Sequence, residues 1–205
     1  MWIACAGVVH FDGKKFIVCN TKNNLPSNSI RSLFEDSHGV IWIGTEAGLT
    51  RFRNGIFHTY TAKDRLTDIY IRAIGEDHQG YLWVGTLNGG IHRLENGRFV
   101  NYRDKGLPMN VIRSILVDHN GAMWVGGNEA VIRWQNGTVT TYTQKDGLVE
   151  PIYNMMEDSE HTLWMGSYGG GIVRYKEGKF TRFTRTNGLF NDIIYQILED
   201  NDGYL

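Results

Sequence analysis

The sequence predicts an all-β protein, a β-propeller of about five four-stranded blades. Two observations support this fold class. Tryptophan recurs at intervals of 40, 41, 41 and 40 residues, at Trp2, Trp42, Trp83, Trp124 and Trp164. Each interval holds four short apolar or aromatic runs separated by turn residues, and none of them shows the 3.6-residue periodicity of a helix. A repeat of about 41 residues with four strands is typical of a propeller blade.

One unit shows how the strands are arranged. Apolar runs over residues 30–35, 40–45, 49–53 and 56–61 predict four antiparallel strands. The first two runs are joined by the turn Asp36-Ser37-His38-Gly39, and this Asp-x-x-Gly pattern recurs in later units. The last two are joined by Asn54-Gly55, a strong hairpin signal. In the fourth Asp-x-x-Gly turn His161 replaces the glycine, so we expect that turn to be looser.

The two ends of the sequence supply the parts of one further blade. The chain begins within a second strand and ends after a predicted first strand over residues 193–200. Pairing of that last strand with the first three would close a ring of five blades and leave no open sheet edge. Residues 1–205 would then form a single propeller domain. The alternative is that the chain is an excerpt of a larger propeller.

Composition and charge exclude several classes of protein. The chain has 205 residues, a formal net charge of −1 and 12% aromatic residues. Such a chain lacks the basic surface that a nucleic-acid-binding protein needs. The longest apolar run, residues 1–9, is too short to span a bilayer and follows no basic segment. We therefore expect no signal peptide and no direct membrane contact in this chain.

The two cysteines predict neither a zinc site nor a disulfide. Cys5 falls on the second strand and Cys19 on the fourth strand of the first unit. With one strand between them, their backbones should lie roughly 9–10 Å apart. A disulfide requires less than about 7 Å between the Cα atoms, so we expect two free thiols.

The repeated motifs resemble a known family. The units share the pattern Ile-Arg-Ser-Leu-Phe-Glu-Asp, Gly-x-x-Trp-Ile-Gly-Thr and Gly-Leu-x-Arg-Phe, which resembles the two-component regulator propeller repeat of bacterial hybrid sensor proteins. The resemblance covers nearly the whole chain. It implies an extracytoplasmic or periplasmic sensor domain that acts in signal transduction and binds a small polar ligand or oligosaccharide. It also implies fusion to immunoglobulin-like, transmembrane and kinase modules, of which this sequence shows none.

The candidate ligand site lies at the top face, where the innermost strands begin. Counting back five residues from the aspartate that ends each first strand gives five positions that we expect around one mouth: Arg31, Arg72, Arg113, Tyr153 and Tyr195. Arginine donates to carboxylates, sulfates or sugar hydroxyls, and tyrosine offers a face for sugar stacking. The links between second and third strands add further candidates: Glu46, Asn88, Asn128, Glu129 and Tyr168.

Alternatives to this site and function remain open. The arginines and tyrosines could instead pack between blades and bond Glu35, Glu76 or Glu199. A streptogramin-lyase-like enzyme has similar Gly-x-x-Trp repeats, but its catalysis needs a histidine on the top face, where this sequence places none. A protein-interaction scaffold is the third possibility. The seven histidines fall mostly in bottom turns or outer strands, so we expect no metal site, no cofactor and no catalytic residue.

Overall fold

A computed structural model describes residues 1–11, 13–149 and 151–205. Within these residues, nineteen strands form five antiparallel sheets, which confirms the all-β prediction. In chain order the strands are β1 (Trp2–Cys5), β2 (Gly7–Phe11), β3 (Phe16–Cys19), β4 (Ile30–Glu35), β5 (Ile41–Thr45), β6 (Gly48–Arg53), β7 (Ile56–Tyr60), β8 (Ile71–Glu76), β9 (Leu82–Thr86), β10 (Ile91–Glu95), β11 (Arg98–Asn101), β12 (Ile112–Val117), β13 (Met123–Gly127), β14 (Val131–Gln135), β15 (Thr138–Tyr142), β16 (Ile152–Glu157), β17 (Leu163–Ser167), β18 (Ile172–Lys176) and β19 (Lys179–Phe183).

The strands are grouped as the repeats predict. The first sheet is β1–β3, and the four others, β4–β7, β8–β11, β12–β15 and β16–β19, have four strands each. One-turn 3₁₀ helices follow these four sheets at Ala62–Asp64, Arg103–Lys105, Gln144–Asp146 and Arg185–Asn187. Among the described residues, no helix is long and apolar enough to cross a membrane.

The chain divides into two compact units. The N-terminal unit, Met1–Asn110, contains the first three sheets, and the C-terminal unit, Val111–Leu205, contains the last two. A single domain over residues 1–205 stays a prediction. Each unit has its own apolar core, formed in the first by Trp42, Leu49, Ile71 and Phe99 among others, and in the second by Trp124, Val131, Leu148 and Ile152 among others.

Each repeated tryptophan is tied to the turn before it. In the four-stranded sheets, the indole Nε1 donates to a carboxylate oxygen of the turn aspartate, at 2.7 Å in Asp36–Trp42 and 2.8 Å in Asp118–Trp124. The other oxygen of Asp118 accepts from the backbone N–H groups of Asn120 and Ala122. One carboxylate therefore holds both the turn and the core residue of the second strand, which explains why the two recur together.

Glycine in the Trp-x-Gly motif lets adjacent sheets of one unit approach each other. A Cβ atom at Gly126 would lie 2.5 Å from Ser114 Oγ and 3.1 Å from Ile152 Cγ2, and one at Gly44 would lie 2.8 Å from Ile71 Cγ2. The isoleucine at the start of the following first strand thus packs directly on the glycine backbone. A side chain at this position would force the two sheets apart.

Two local expectations are wrong. The turn with His161 is no looser than the others, because His161 N–H donates to Asp158 O at 2.9 Å, as Gly39 N–H does to Asp36 O. Residues 193–200 form no strand, although Ile193 makes an isolated bridge with Tyr168. The predicted last strand is therefore absent, and the first sheet has the three strands β1–β3. A strand requires a regular ladder, which an isolated bridge does not provide.

The cysteine prediction is confirmed. Cys5 ends β1 and Cys19 ends β3, with β2 paired between them. Both are free thiols. Cys5 is exposed, whereas Cys19 is buried, and burial raises the pKa of its thiol.

Candidate functional site

The predicted site residues occupy a bulge that recurs in the first strand of every four-stranded sheet. The pairing register between first and second strands shifts once in each sheet, for example between Ile30 and Ser32. The residues at these shifts are Arg31, Arg72, Arg113 and Tyr153. A bulged residue is left out of the ladder, and its side chain is re-aimed relative to its strand neighbours. The four sheets therefore present these side chains from equivalent positions.

In three sheets the bulged residue contacts the residue fifteen positions later in the chain, which comes immediately after the second strand. Arg31 Nε donates to Glu46 Oε1 at 2.9 Å, across a separation of 15 residues, and Arg113 Nε donates to Asn128 Oδ1 across the same separation. The residue equivalent to Glu46 after β9 is Leu87, whose side chain has no hydrogen-bond acceptor. Accordingly, Arg72 Nε is buried without a hydrogen-bond partner among the described residues.

In the N-terminal unit these side chains form a cationic and aromatic group, Arg31, Glu46, Tyr70 and Arg72. The Tyr70 hydroxyl donates to Glu46 Oε1 at 2.8 Å, and the guanidinium carbons of Arg31 and Arg72 lie 5.6 and 5.2 Å from the Tyr70 ring centre. Hydrogen bonds from Arg31 and then Tyr70 lower the pKa of Glu46. Glu46 therefore stays ionised and neutralises Arg31, while the charge of Arg72 remains uncompensated within this group.

Tyr70 is a member of this group that the sequence does not predict. It lies in the link that enters β8, where the equivalent residues of other units are Ser29, Val111 and Pro151, so no repeat pattern marks it. Its role depends on the approach of β4 to β8, which brings Arg31 and Tyr70 together.

In the C-terminal unit the group is predominantly aromatic and contains Arg113, Tyr153, Tyr168 and Tyr195. The three tyrosine ring centres lie 5.6, 5.8 and 6.2 Å apart in pairs. The guanidinium carbon of Arg113 lies 4.4 Å from the Tyr153 ring centre. Tyr168 is 49% and Tyr195 64% exposed, so the group presents an open aromatic surface with a cation at one side.

Seven of the ten candidate residues thus belong to one of two groups, one in each unit, and an eighth, Asn128, accepts a hydrogen bond from Arg113. Glu129 is exposed and lies outside both groups. Asn88 belongs to neither, because its backbone N–H donates to Asp68 Oδ2 at 2.7 Å. It lines a separate cavity of about 400 Å³ with Thr67, Gly89, Asn101, Arg103 and Asp104. Convergence of the five first-strand positions at one mouth, and a ligand-binding role for each residue, stay predictions.

Two glutamates near the ends of the first-strand segments, Glu76 and Glu199, accept hydrogen bonds from serines in the turns of the preceding repeats. Ser37 donates through its backbone N–H and its hydroxyl to Glu76, at 2.7 and 2.8 Å, and Ser159 does the same to Glu199, at 2.8 and 2.6 Å. The Ser37–Glu76 bonds link two adjacent sheets, and the Ser159–Glu199 bonds link the last sheet to the C-terminal segment. Both lie at the end of the strands opposite to Arg31 and Tyr153. Arg31 pairs with Glu46 rather than with any of these strand-end glutamates.

A second cluster of side chains lies at that opposite end in the C-terminal unit. His119, Glu157 and His161 place potential metal-ligating atoms within 4.8 Å of one another. The two imidazole rings stack with centres 3.8 Å apart. The sequence predicts histidines scattered over separate turns, and His119 and His161 come together because β12 packs against β16.

Comparison with known proteins identifies the repeats. A family model for the two-component regulator propeller matches residues 24–47, 65–88 and 106–129. Each match runs from the link before a first strand to just after the second strand, and includes the bulge and the Trp-x-Gly motif. No curated protein matches the chain.

Solved structures show the same fold. The extracellular domain described as that of a hybrid two-component system from B. thetaiotaomicron is 25% identical and matches 98% of this chain with a TM-score of 0.83. An extracellular domain of a one-component system from the same organism is 23% identical over 89% of this chain, with a TM-score of 0.72. The chain spans 30% and 29% of those two proteins.

An enzyme with the same fold is also similar. Virginiamycin B lyase from Staphylococcus aureus is 21% identical over 86% of this chain and 62% of its own, with a TM-score of 0.71. At this identity the similarity concerns the fold alone. The five sheets, the tryptophan turns and the three matched repeats together make the chain a β-propeller that contains two-component regulator propeller repeats.

Proposed function

We propose that the chain is a non-enzymatic ligand-binding part of an extracytoplasmic sensor, and that its ligand is a carbohydrate or another small polar molecule. The observation that supports this most directly is the exposed group of Tyr153, Tyr168 and Tyr195 beside Arg113. The similarity to extracellular domains of two-component and one-component systems supports the location and the sensing role.

The tyrosine group has the chemistry that a sugar ring requires. The apolar C–H face of a sugar packs on an aromatic ring, and its hydroxyls accept hydrogen bonds from a neighbouring donor. Two of the three tyrosines are about half or more exposed, which leaves ring surface available to a ligand. Arg113 is held against Tyr153 and bonded to Asn128, so it offers a guanidinium in a defined orientation.

The N-terminal group favours an anionic substituent. Glu46 compensates Arg31, but the buried Nε of Arg72 has no partner among the described residues. A carboxylate or sulfate next to Arg72 would complete its hydrogen bonds and its charge. An acidic or sulfated oligosaccharide therefore fits the N-terminal group better than a neutral one.

The enzyme alternative has less support. Neither of the two groups, within the part of the chain that the structure describes, contains a histidine that could act as a general acid or base at this face. If the chain were instead a protein-interaction scaffold, it would bind a partner protein, and removal of a single tyrosine would not weaken that binding. We therefore place sensing of a small ligand first.

The test is a glycan-array screen followed by titration of the best ligand against wild type and Tyr195→Ala. We expect Tyr195→Ala to weaken binding about tenfold, or about 1.4 kcal/mol, through loss of one stacking face. Tyr204→Ala is the matched control, because Tyr204 is also exposed, at 73%, in the same C-terminal segment. Equal affinities of the two variants, or no glycan bound by wild type at millimolar concentration, would contradict the proposal.

A further inference from the structure

We propose that His119, Glu157 and His161 form a binding site for Zn²⁺. His119 lies in the turn after β12, Glu157 is the last residue of β16, and His161 lies in the turn after β16. Their ligating atoms lie within 4.8 Å of one another. Two imidazole nitrogens and one carboxylate are a ligand set that Zn²⁺ takes in open sites, where the fourth position is left to water or another ligand.

One of the three residues, His161, departs from what the repeat has at the same position. The position of His119 varies between turns and is filled by Ser37, His78, Ser159 and Asn201 in the others. The position of His161 is glycine in all four other turns, with φ values between 71° and 83° at Gly39, Gly80, Gly121 and Gly203. His161 adopts the same left-handed conformation, with φ 62°. A non-glycine residue is strained there, and strain that is retained in a fold points to a function.

The two histidines bring their imidazoles to the same carboxylate. In the turns with serine, the hydroxyl and the backbone N–H occupy both oxygens of the facing glutamate. At Glu157, the backbone N–H of His119 donates to Oε2 at 2.8 Å, and His119 Nδ1 contacts Oε1. His161 Nδ1 lies 3.8 Å from the same Oε1. A cation between these three atoms would bind both nitrogen lone pairs and the carboxylate.

Asn120 can orient a metal-bound His119 imidazole. The Asn120 Nδ2 group lies 2.7 Å from His119 Nε2, so in the metal-free chain Nε2 accepts a hydrogen bond and Nδ1 faces Glu157 with its hydrogen. Rotation of the amide by 180° would place its oxygen at Nε2, where it accepts from an Nε2–H group and leaves the Nδ1 lone pair for the metal. The proton now shared by His119 Nδ1 and Glu157 is released to solvent when the ion binds.

The two basic residues that line the surrounding cavity bond to groups other than the three proposed ligands. It has a volume of about 300 Å³ and is lined by Lys176, Arg133 and Glu177 in addition to the three ligands. Lys176 Nζ pairs with Glu160 at 3.1 Å, and Arg133 donates to Gln135 at 2.6 Å. Glu177 occupies a turn position that is asparagine in three other sheets, at Asn54, Asn96 and Asn136, and it adds a further negative charge to the wall.

Calorimetric titration of the chelator-treated chain with ZnCl₂ tests the proposal. We expect one Zn²⁺ per chain and a rise in the unfolding temperature on addition of Zn²⁺. His161→Gly should weaken Zn²⁺ binding by tenfold or more and remove that rise. Without metal, the same variant should unfold at an unchanged or higher temperature, because glycine suits the local φ.

Two further variants separate this site from adventitious binding. His119→Ser introduces the residue that two other turns have at this position, and it should also lose tenfold or more in affinity. His38→Ala should bind as wild type, although His38 is exposed and lies 4.0 Å from Glu76 in an equivalent turn. No binding by wild type, undiminished binding by His161→Gly, or an equal loss in His38→Ala would each overturn the proposal.

Discussion

Acidification should destabilise the chain through one buried side chain, His92 on β10. His92 is fully buried. The backbone N–H of Thr67 donates to its Nε2 at 3.3 Å, and the Asn101 amide lies 3.1 Å from the same nitrogen. These contacts suit a neutral imidazole with a lone pair on Nε2. Burial lowers the pKa of His92 to about 4, although the nearby Asp68 carboxylate opposes this shift.

The size and direction of the effect follow from the two protonation states. In the unfolded chain the pKa of a histidine is 6.5, so between pH 6.5 and about 4 the unfolded chain binds a proton that the folded chain does not. The stabilising contribution of neutral His92 is therefore complete above pH 6.5 and is lost as the pH falls towards 4. A pKa difference of this size corresponds to about 3 kcal/mol.

Urea unfolding at pH 7, 6, 5 and 4 measures this contribution when wild type is compared with His92→Gln. The amide of glutamine does not titrate, so wild type should lose about 3 kcal/mol more than the variant between pH 7 and 4. Other titrating groups are common to both proteins and cancel in the comparison. His58→Gln, at an exposed position on β7, is the matched control and should follow wild type. Parallel pH profiles for wild type and His92→Gln would refute the reasoning.

Three further predictions concern packing, the candidate site and the thiols. Gly126→Ala should lower the free energy of unfolding by about 1–3 kcal/mol, because its Cβ would lie 2.5 Å from Ser114 Oγ; an unchanged urea midpoint would contradict this. Arg72→Ala should leave the unfolding temperature nearly unchanged, since its Nε has no partner among the described residues, yet weaken an anionic ligand by about 1–3 kcal/mol. If Arg72→Ala lowers the unfolding temperature and leaves ligand binding intact, Arg72 stabilises the packing between sheets instead of binding the ligand. Thiol titration should find two thiols in the denatured, non-reduced chain and only Cys5 reacting rapidly in the native one, because burial raises the pKa of Cys19; finding none would exclude the strand order of the first sheet.

The sequence by itself determined the strands and turns of each sheet. Turns such as Asp36-Ser37-His38-Gly39 and Asn54-Gly55 depend on the φ values and side-chain bonds of adjacent residues, which local sequence specifies. The placement of tryptophan on second strands was predicted from the apolar runs and the repeat spacing, and in the structure the aspartate six residues earlier binds the indole of Trp42. The repeat period then indicated the propeller without any knowledge of its contacts.

The composition of the site was decided only by the tertiary structure. Spacing correctly placed Arg31, Arg72 and Arg113 at equivalent positions, but the bulge there arises from pairing with the second strand and has no signature of its own. The partner position after the second strand is Leu87 in the third sheet, one residue from the predicted Asn88, because alignment by residue type does not reveal which side chain faces a bulge.

Contacts between sheets likewise could not be predicted from the sequence. His119 and Glu157 are 38 residues apart in the chain and meet because β12 packs against β16. Residues 193–200 have the pattern of a first strand, yet they form no ladder, because strand formation depends on a partner supplied by another part of the fold. Local geometry is specified by neighbours in sequence, whereas strand pairing and side-chain convergence depend on packing between segments that are distant in sequence.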